Sequence, residues 1–259
     1  MTRSALLYAD EPAPVLTHGA RDHSPFIILV DHASARIPRR LQQLGLSTDD
    51  LRRHVTWDIG ALAVAERVAT TLDATLIAQH YSRLVIDCNR HPAADTSITA
   101  TSEYTQIPGN HMLSQQDALI RRQEIFDPYH AHIRALLDRR CALGLRSILV
   151  AQHTMTDVYK GERRDMHAAI LYNRDRRFAG HMLDFLKRDT GLVIAENAPY
   201  FLSDATDYTI PVHAEARGLA HVEIEIRQDL VSTPDDQAQW AVHIARALVA
   251  CEHAFFREF

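Results

Sequence analysis

An α/β fold with a mostly parallel sheet between helical layers is what this chain predicts, on three observations. Short Val-, Ile- and Leu-rich runs recur without alternation, the pattern of strands buried on both faces. Segments with helical three- and four-residue spacing separate them, which implies βαβ units. Polar clusters close most of the apolar runs, and ligand sites in open α/β sheets form at the carboxyl ends of strands.

Taken in order, residues 1–24 are polar and proline-marked, which predicts a surface arm. Pro25 to Val30 is a buried strand running into Asp31-His32-Ala33-Ser34. Ser47-Thr48-Asp49-Asp50 has the composition of a helix N-cap with acids in the first turn. A helix over about 59–72 follows from Leu62, Ala65, Val68, Ala69 and Leu72, and Trp57-Asp58-Ile59-Gly60 opens it. Two short strands are expected at Ala74–Ala78 and Leu84–Ile86, the second ending at Asp87-Cys88-Asn89-Arg90. Residues 91–112 have no period and form a loop, of the length that commonly walls a pocket. Ser114 caps a long helix to Leu143, which Gly144 stops. A strand at Ser147–Ala151 leads to Gln152-His153-Thr154 and a polar stretch to 166. Further strands at 167–171, 192–195 and 220–227 alternate with helices at 175–189, 212–217 and 235–256, and residues 197–211 make a second long loop.

The 259 residues, 46% hydrophobic and 24% charged, suit one large globular domain. A formal charge of −5 gives no electrostatic reason to expect nucleic acid or an anionic membrane. Three widely spaced cysteines (Cys88, Cys141, Cys251) form no CxxC and no disulfide framework, so a reducing, cytoplasmic setting is expected. Neither a membrane span nor a signal-peptide pattern is read from the sequence. GxGxxG and GxxxxGK[ST] are absent. Sixteen histidines are the compositional oddity, and histidine is the commonest metal ligand.

Histidines and carboxylates at strand ends point to metal-assisted hydrolysis. Such a site needs about three His or carboxylate ligands and an open position for water. His32 and His153, each just past a buried strand, and Asp58 at a helix start are the metal candidates, with an N-cap as the alternative for Asp58. There is no HExxH, and Ala35 occupies the second slot of an HxxE. Glu223, Glu225 and Arg227 share one strand face, which is costly if buried unpaired. They meet a pocket, or else form an ion-pair ladder on an edge strand. Glu225 is the general-base candidate, nearer the carboxyl end, with Glu223 its competitor. Arg83, Arg90 and Arg227 flank strand ends and suit an acidic substrate, with solvated surface arginine as the alternative. Asn89 and Asn197 offer neutral amides for substrate, or are turn residues. Cys88 has no evident base, and no GxSxG elbow supports a serine nucleophile.

The residues resemble N-formylglutamate amidohydrolases. The match is carried by Asp31-His32-Ala33-Ser34 with Ile37-Pro38, by Trp57-Asp58-Ile59-Gly60-Ala61, and by Ser82-Arg83-Leu84-Val85-Ile86-Asp87-Cys88-Asn89-Arg90. Gln152-His153-Thr154, Asn197-Ala198-Pro199-Tyr200, His213-Ala214-Glu215-Ala216-Arg217-Gly218-Leu219 and Ile224-Glu225-Ile226-Arg227-Gln228-Asp229-Leu230 continue it in order, from about 25 to 232. The resemblance implies a single-domain, three-layer α/β sandwich with a mostly parallel mixed sheet, of the zinc-carboxypeptidase-like (phosphorylase/hydrolase-like) type. Residues 25–259 would be its catalytic domain, behind the 1–24 arm. It further implies zinc, or another divalent metal, at His32, Asp58 and His153. A water activated by the metal would attack an N-formyl or other short N-acyl amino acid, with Glu225 as general base and Arg83, Arg90 and Arg227 matching arginines of the family pattern. For N-formylglutamate the products are formate and glutamate, the last step of one histidine-degradation route. The segments His153-Thr154-Met155-Thr156-Asp157 and Arg164-Asp165-Met166-His167 depart from the family pattern beside the expected pocket. The rival expectation is a catalytically silent protein of the same fold that binds an acidic metabolite.

Overall fold

The structure, a computed structural model, describes residues 5–19 and 23–257. In chain order the strands are β1 (Val15–His18), β2 (Phe26–Val30), β3 (Thr75–Gln79), β4 (Thr101–Ser102), β5 (Thr105–Gln106), β6 (Ile148–Met155), β7 (Val158–Tyr159), β8 (Glu162–Arg163), β9 (Ala168–Leu171), β10 (Ile194–Glu196) and β11 (Ala220–Arg227). The helices are α1 (Ala61–Leu72), α2 (Gln115–Arg121), α3 (Asp127–Ala142), α4 (Arg177–Thr190) and α5 (Pro234–Phe255).

Seven strands form one sheet in the order β1-β3-β2-β6-β11-β9-β10. The central four, β3, β2, β6 and β11, run parallel, while β9 joins β11 antiparallel and β1 joins β3 antiparallel. Every residue of β2, β3, β6 and β11 is buried, as expected for strands covered on both faces. Alternation along the strands divides the core into two. Ile28, Val30, Leu76, Val150, Val222 and Ile224 face the layer containing α1, α4 and α5. On the opposite face, Ile27, Leu29, Ile77, Leu149 and Ala151 pack with Phe126, Tyr129 and Ile133 of the α3 layer. The chain is therefore a three-layer α/β sandwich with a mostly parallel mixed sheet. No helix among the described residues is long and apolar enough to cross a membrane.

Several expectations are corrected. Residues 15–18, read as part of a surface arm, are the edge strand β1, held by its ladder to β3. Leu84–Ile86 is not a strand; it is a buried turn in which the Val85 N–H donates to Ser82 O. Three apolar residues pack as well in a covered turn as in a strand, and the period cannot separate the two. β6 continues to Met155, so His153 lies within the strand instead of beyond it. The edge-strand alternative for Glu223, Glu225 and Arg227 also fails, because β11 is flanked by β6 and β9. Two loops are more structured than read. The 91–112 segment contains the β4–β5 hairpin, and the β7–β8 hairpin interrupts the stretch to 166.

Candidate active site

The period of two sets the floor of the site. Leu149, Ala151 and His153 on β6 project to the α3 face, and Glu223 and Glu225 on β11 do likewise, with Glu225 the direct register partner of His153. Beside β6, β2 ends at Val30 and delivers Asp31 and His32. The Asp58 N–H donates to His32 O at 3.0 Å, and Thr154 Oγ1 donates to Ile59 O at 2.9 Å. These two bonds fasten the turn before α1 to the ends of β2 and β6. Gly60 makes that turn close. Its φ is +81°, and a Cβ there would lie 2.7 Å from Val231 Cγ2.

At the centre, His32 Nδ1 and His153 Nδ1 both face Asp58 Oδ2, at 3.2 and 2.8 Å. One ligand atom from each of the three residues lies within 4.8 Å of the others, and all three residues are buried. The far ring nitrogens are backed by acids: His32 Nε2 is 2.7 Å from Asp87 Oδ1, and His153 Nε2 is 3.5 Å from Asp31 Oδ2. At His32 an Nε2–H donated to Asp87 leaves the Nδ1 lone pair facing Asp58, whereas His153 Nε2 lies near Asp31 without hydrogen-bonding to it. The Asp58 carboxylate facing both imidazoles favours positive charge there, supplied by a proton or by one cation. Two imidazoles and a carboxylate with carboxylate-backed rings are a donor set that fits a divalent transition metal.

The electrostatics agree. Burial lowers the affinity of His153 for a proton, but Glu223, Asp31 and Asp58 overcome it and raise its pKa well above the usual value. For His32 the opposing effects of burial and Arg83 are exceeded by Asp87 and Asp58, so its pKa is also raised. Asp58 and Asp87, though buried, are held well below the ordinary carboxylate range, by the two imidazoles and by His32 and Arg83 respectively. The two glutamates go the other way. Burial pushes Glu223 up to about 8 and Glu225 up to about 7, with His153 opposing the rise in each. One oxygen of each, Glu223 Oε2 and Glu225 Oε2, is buried without a hydrogen-bond partner.

Above this floor opens a cavity of about 560 Å³, lined by His32, Asp58, Arg83, Asp87, Asn89 and Arg90, and by His153, Glu223 and Glu225. Arg83 bridges Asp58 (3.3 Å) and Asp87 (2.8 Å), while Arg90 pairs with Asp207. Asn89 Oδ1 accepts from the Tyr208 and Thr209 N–H groups, so this side chain anchors the 207–209 segment to the cavity wall.

Two predicted substrate residues lie elsewhere. Arg227 is spent on the Arg164 and Met166 carbonyls and on Asp229, and it lines no part of the cavity. Asn197 accepts from the Tyr172 N–H and joins the β9 and β10 ends, again away from the cavity. Sequence reasoning missed Asp31 and Asp87 as supports of the imidazoles. Arg83 and Asp87 stand four apart and meet as an ion pair, but that spacing across an expected strand carries no signal. Cys88 is buried, its thiol pushed well above the usual pKa by burial and by Asp31, and it is unsuited to nucleophilic attack.

Comparison with known proteins follows the same lines. A gene product of Agrobacterium tumefaciens superposes with a TM-score of 0.93 at 34% identity, over 96% of this chain and 98% of that one. The N-formylglutamate amidohydrolase of Ralstonia eutropha JMP134 shares the fold, with a TM-score of 0.68 at 17% identity over 96% of this chain and 100% of that one. No curated protein sequence matches. The N-formylglutamate amidohydrolase family profile matches residues 24–232, a span that begins before β2 and takes in Asp58, His153 and the whole of β11. With the match spanning most of its length and every element that builds the site, this chain belongs to the N-formylglutamate amidohydrolase family and is a hydrolase of amide bonds.

Proposed function

We propose that this chain is a metal-dependent amidohydrolase that cleaves an N-formyl or other short N-acyl amino acid, with zinc at His32, Asp58 and His153. The observation that carries the reading is the convergence of both Nδ1 atoms on Asp58 Oδ2 beside Glu225, at the floor of the cavity. A divalent ion held by His32, Asp58 and His153 would polarise the acyl carbonyl and lower the pKa of water toward neutrality. Glu225 would take the proton from the attacking water and return it to the leaving amine nitrogen, its place beside His153 on the sheet face setting a carboxylate at the cluster. Asp87 holds the His32 imidazole in place through its Nε2, and Asp31 lies 3.5 Å from His153 Nε2 and favours its charge. Arg83 and Arg90, both at the cavity wall, orient the α-carboxylate of the substrate with N–H groups beyond those their acids use. Asn89 fixes the 207–209 wall segment.

The test is direct. Protein purified without added metal is analysed for metal content and assayed for amine release from N-formyl amino acids. Near-stoichiometric zinc, lost in His32→Ala and in His153→Ala together with the activity, is expected. Absence of metal uptake on titration with zinc, cobalt or manganese would overturn the reading.

A further inference from the structure

On the side of the His153 ring away from Asp58, three buried polar atoms gather without a hydrogen-bond partner: His153 Nε2, Asp31 Oδ2 and Glu223 Oε2. His153 Nε2 lies 3.5 Å from the Asp31 oxygen and 4.0 Å from that of Glu223. The three side chains are 4% exposed or less, so bulk water does not serve them. The other nitrogen of the ring, Nδ1, faces Asp58 within the proposed metal cluster. A neutral imidazole carries its proton on one nitrogen only, so a cation taken at Nδ1 leaves that proton on Nε2. There it is a buried N–H donor, and a buried donor left unpaired is costly. Asp31 is the nearer acceptor. A movement of roughly half an ångström brings the 3.5 Å separation into the ordinary range for an N–H···O bond.

What holds Asp31 comes from 178 residues further along the chain. Thr209, fully buried, donates its hydroxyl to Asp31 Oδ1 at 2.9 Å, which leaves Oδ2 as the oxygen on the His153 side. The Thr209 N–H donates in turn to Asn89 Oδ1 at 3.1 Å. Two residues earlier, Asp207 pairs with Arg90, and the backbones of the two form a bridge. Thr209 is thus fastened to the cavity wall independently of the imidazole. It lines no part of the cavity itself, so contact with substrate does not account for it.

Resting on the amidohydrolase reading above, we propose that Thr209 is a positioning residue for the metal centre: its hydroxyl orients Asp31 to accept the Nε2–H of His153 when a divalent ion is bound at Nδ1. The partner of His32, Asp87, is already within hydrogen-bond distance of its ring. Thr209 supplies the corresponding support for His153 at one remove, since carboxylates behind ligating imidazoles fix both tautomer and ring orientation.

The experiment measures zinc affinity, by competition against a chromogenic chelator, in the wild type, Thr209→Val, Thr209→Ser and Asp31→Asn. The melting temperature of each metal-free protein is recorded alongside. Valine keeps the shape and removes the donor, whereas serine keeps the donor. Thr209→Val is expected to weaken zinc binding by about tenfold, the lower end of what an outer partner contributes. Thr209→Ser should bind zinc as tightly as the wild type. Asp31→Asn should lose at least as much as Thr209→Val, and combining the two should cost no more than Asp31→Asn alone, because the threonine acts through the acid. A lowered metal-free melting temperature in Thr209→Val with unchanged zinc affinity would make Thr209 structural only and overturn the proposal. Equal losses in Thr209→Val and Thr209→Ser, or additive losses in the double variant, would do the same. If Thr209→Val does not fold, Asp31→Asn decides: unchanged zinc affinity overturns the proposal, and a loss of about tenfold or more with full affinity in Thr209→Ser upholds it. A wild type that binds no zinc would sink the metal centre and this proposal with it. A wild type that binds zinc no more tightly than Thr209→Val sinks this proposal alone.

Discussion

Glu225 and His153 are register partners on the parallel strands β11 and β6, side by side on the sheet face beneath the cavity. The proposed base and a proposed metal ligand are thus spaced by a backbone ladder instead of by a loop. A one-residue slip of β11 would turn Val222, Ile224 and Ile226 out of their core along with Glu225, so the apolar packing itself guards the catalytic register.

Glu225→Gln should therefore keep the fold and the metal while losing turnover. The substitution preserves shape and removes only the capacity to accept a proton. General-base loss costs roughly 100- to 10,000-fold in kcat. Steady-state kinetics beside metal analysis of the same preparation checks it, and a variant that retains full kcat would remove Glu225 from the mechanism.

Asp87→Asn tests the support of His32. Asp87 Oδ1 sits 2.7 Å from His32 Nε2, and its other oxygen accepts from Arg83. An amide in its place weakens the grip on the ring and its basicity, and loss of such a partner costs roughly 10- to 100-fold in metal affinity. Competition against a chromogenic chelator reads this without reference to activity. Unchanged affinity would mean that the backbone alone positions His32.

How far the sequence disclosed this site follows from what each signal measures. β11 was legible because a residue run buried on both faces contains Glu223 and Glu225, and acids in such a run need a reason. His32, Asp58 and His153 could be singled out by their place beside apolar runs, and the structure brings them together. Arg227 and Asn197 show the limit. Both stand at strand ends and belong to the family pattern, but side-chain direction decides their role, and no period records that the Arg227 guanidinium turns toward the Arg164 carbonyl. Asp87 stands in a polar cluster after Leu84–Ile86, but its role as the partner of His32 depends on a contact 55 residues away that no local pattern records.

The pH dependence of stability, in metal-free protein, follows from the raised carboxyls. Glu223 and Glu225 have folded values of about 8 and about 7, above the unfolded value. Between the two values the native state holds protons that the unfolded state has released, so stability falls as pH rises. His32 and His153, also raised, contribute stability below their unfolded value that is lost as pH rises through their folded values. The depressed Asp31, Asp58 and Asp87 act oppositely, and only in acid, where protonating them removes their contribution. Chelator-treated protein should therefore melt at a higher temperature at roughly pH 5 than at roughly pH 8.5, by a free energy on the order of a few kcal/mol. Glu223→Gln should flatten the slope, and added zinc should restore the melting temperature at the alkaline end. A profile that rises between those two pH values would contradict the assignment.

Gly60→Ala carries the last prediction, since it couples stability to the site through one atom. The added Cβ would lie 2.7 Å from Val231 Cγ2 and 2.9 Å from the Val231 carbonyl oxygen, at a φ of +81° that L side chains rarely adopt. Backbone strain of this kind costs about 1–3 kcal/mol, and the clash adds to it. Relief requires the 57–60 turn to move off the loop after β11, and Asp58 moves with it because its carbonyl accepts from the Ala61 N–H. Melting temperature and metal affinity should therefore fall together. Gly144→Ala is the control: its φ is +66°, but nothing lies within 4 Å of the new Cβ, and it is remote in sequence from the cluster. It should lower the melting temperature by the strain alone and leave metal affinity intact. If both variants weaken metal binding equally, general destabilisation explains the loss, and Gly60 has no particular part in placing Asp58.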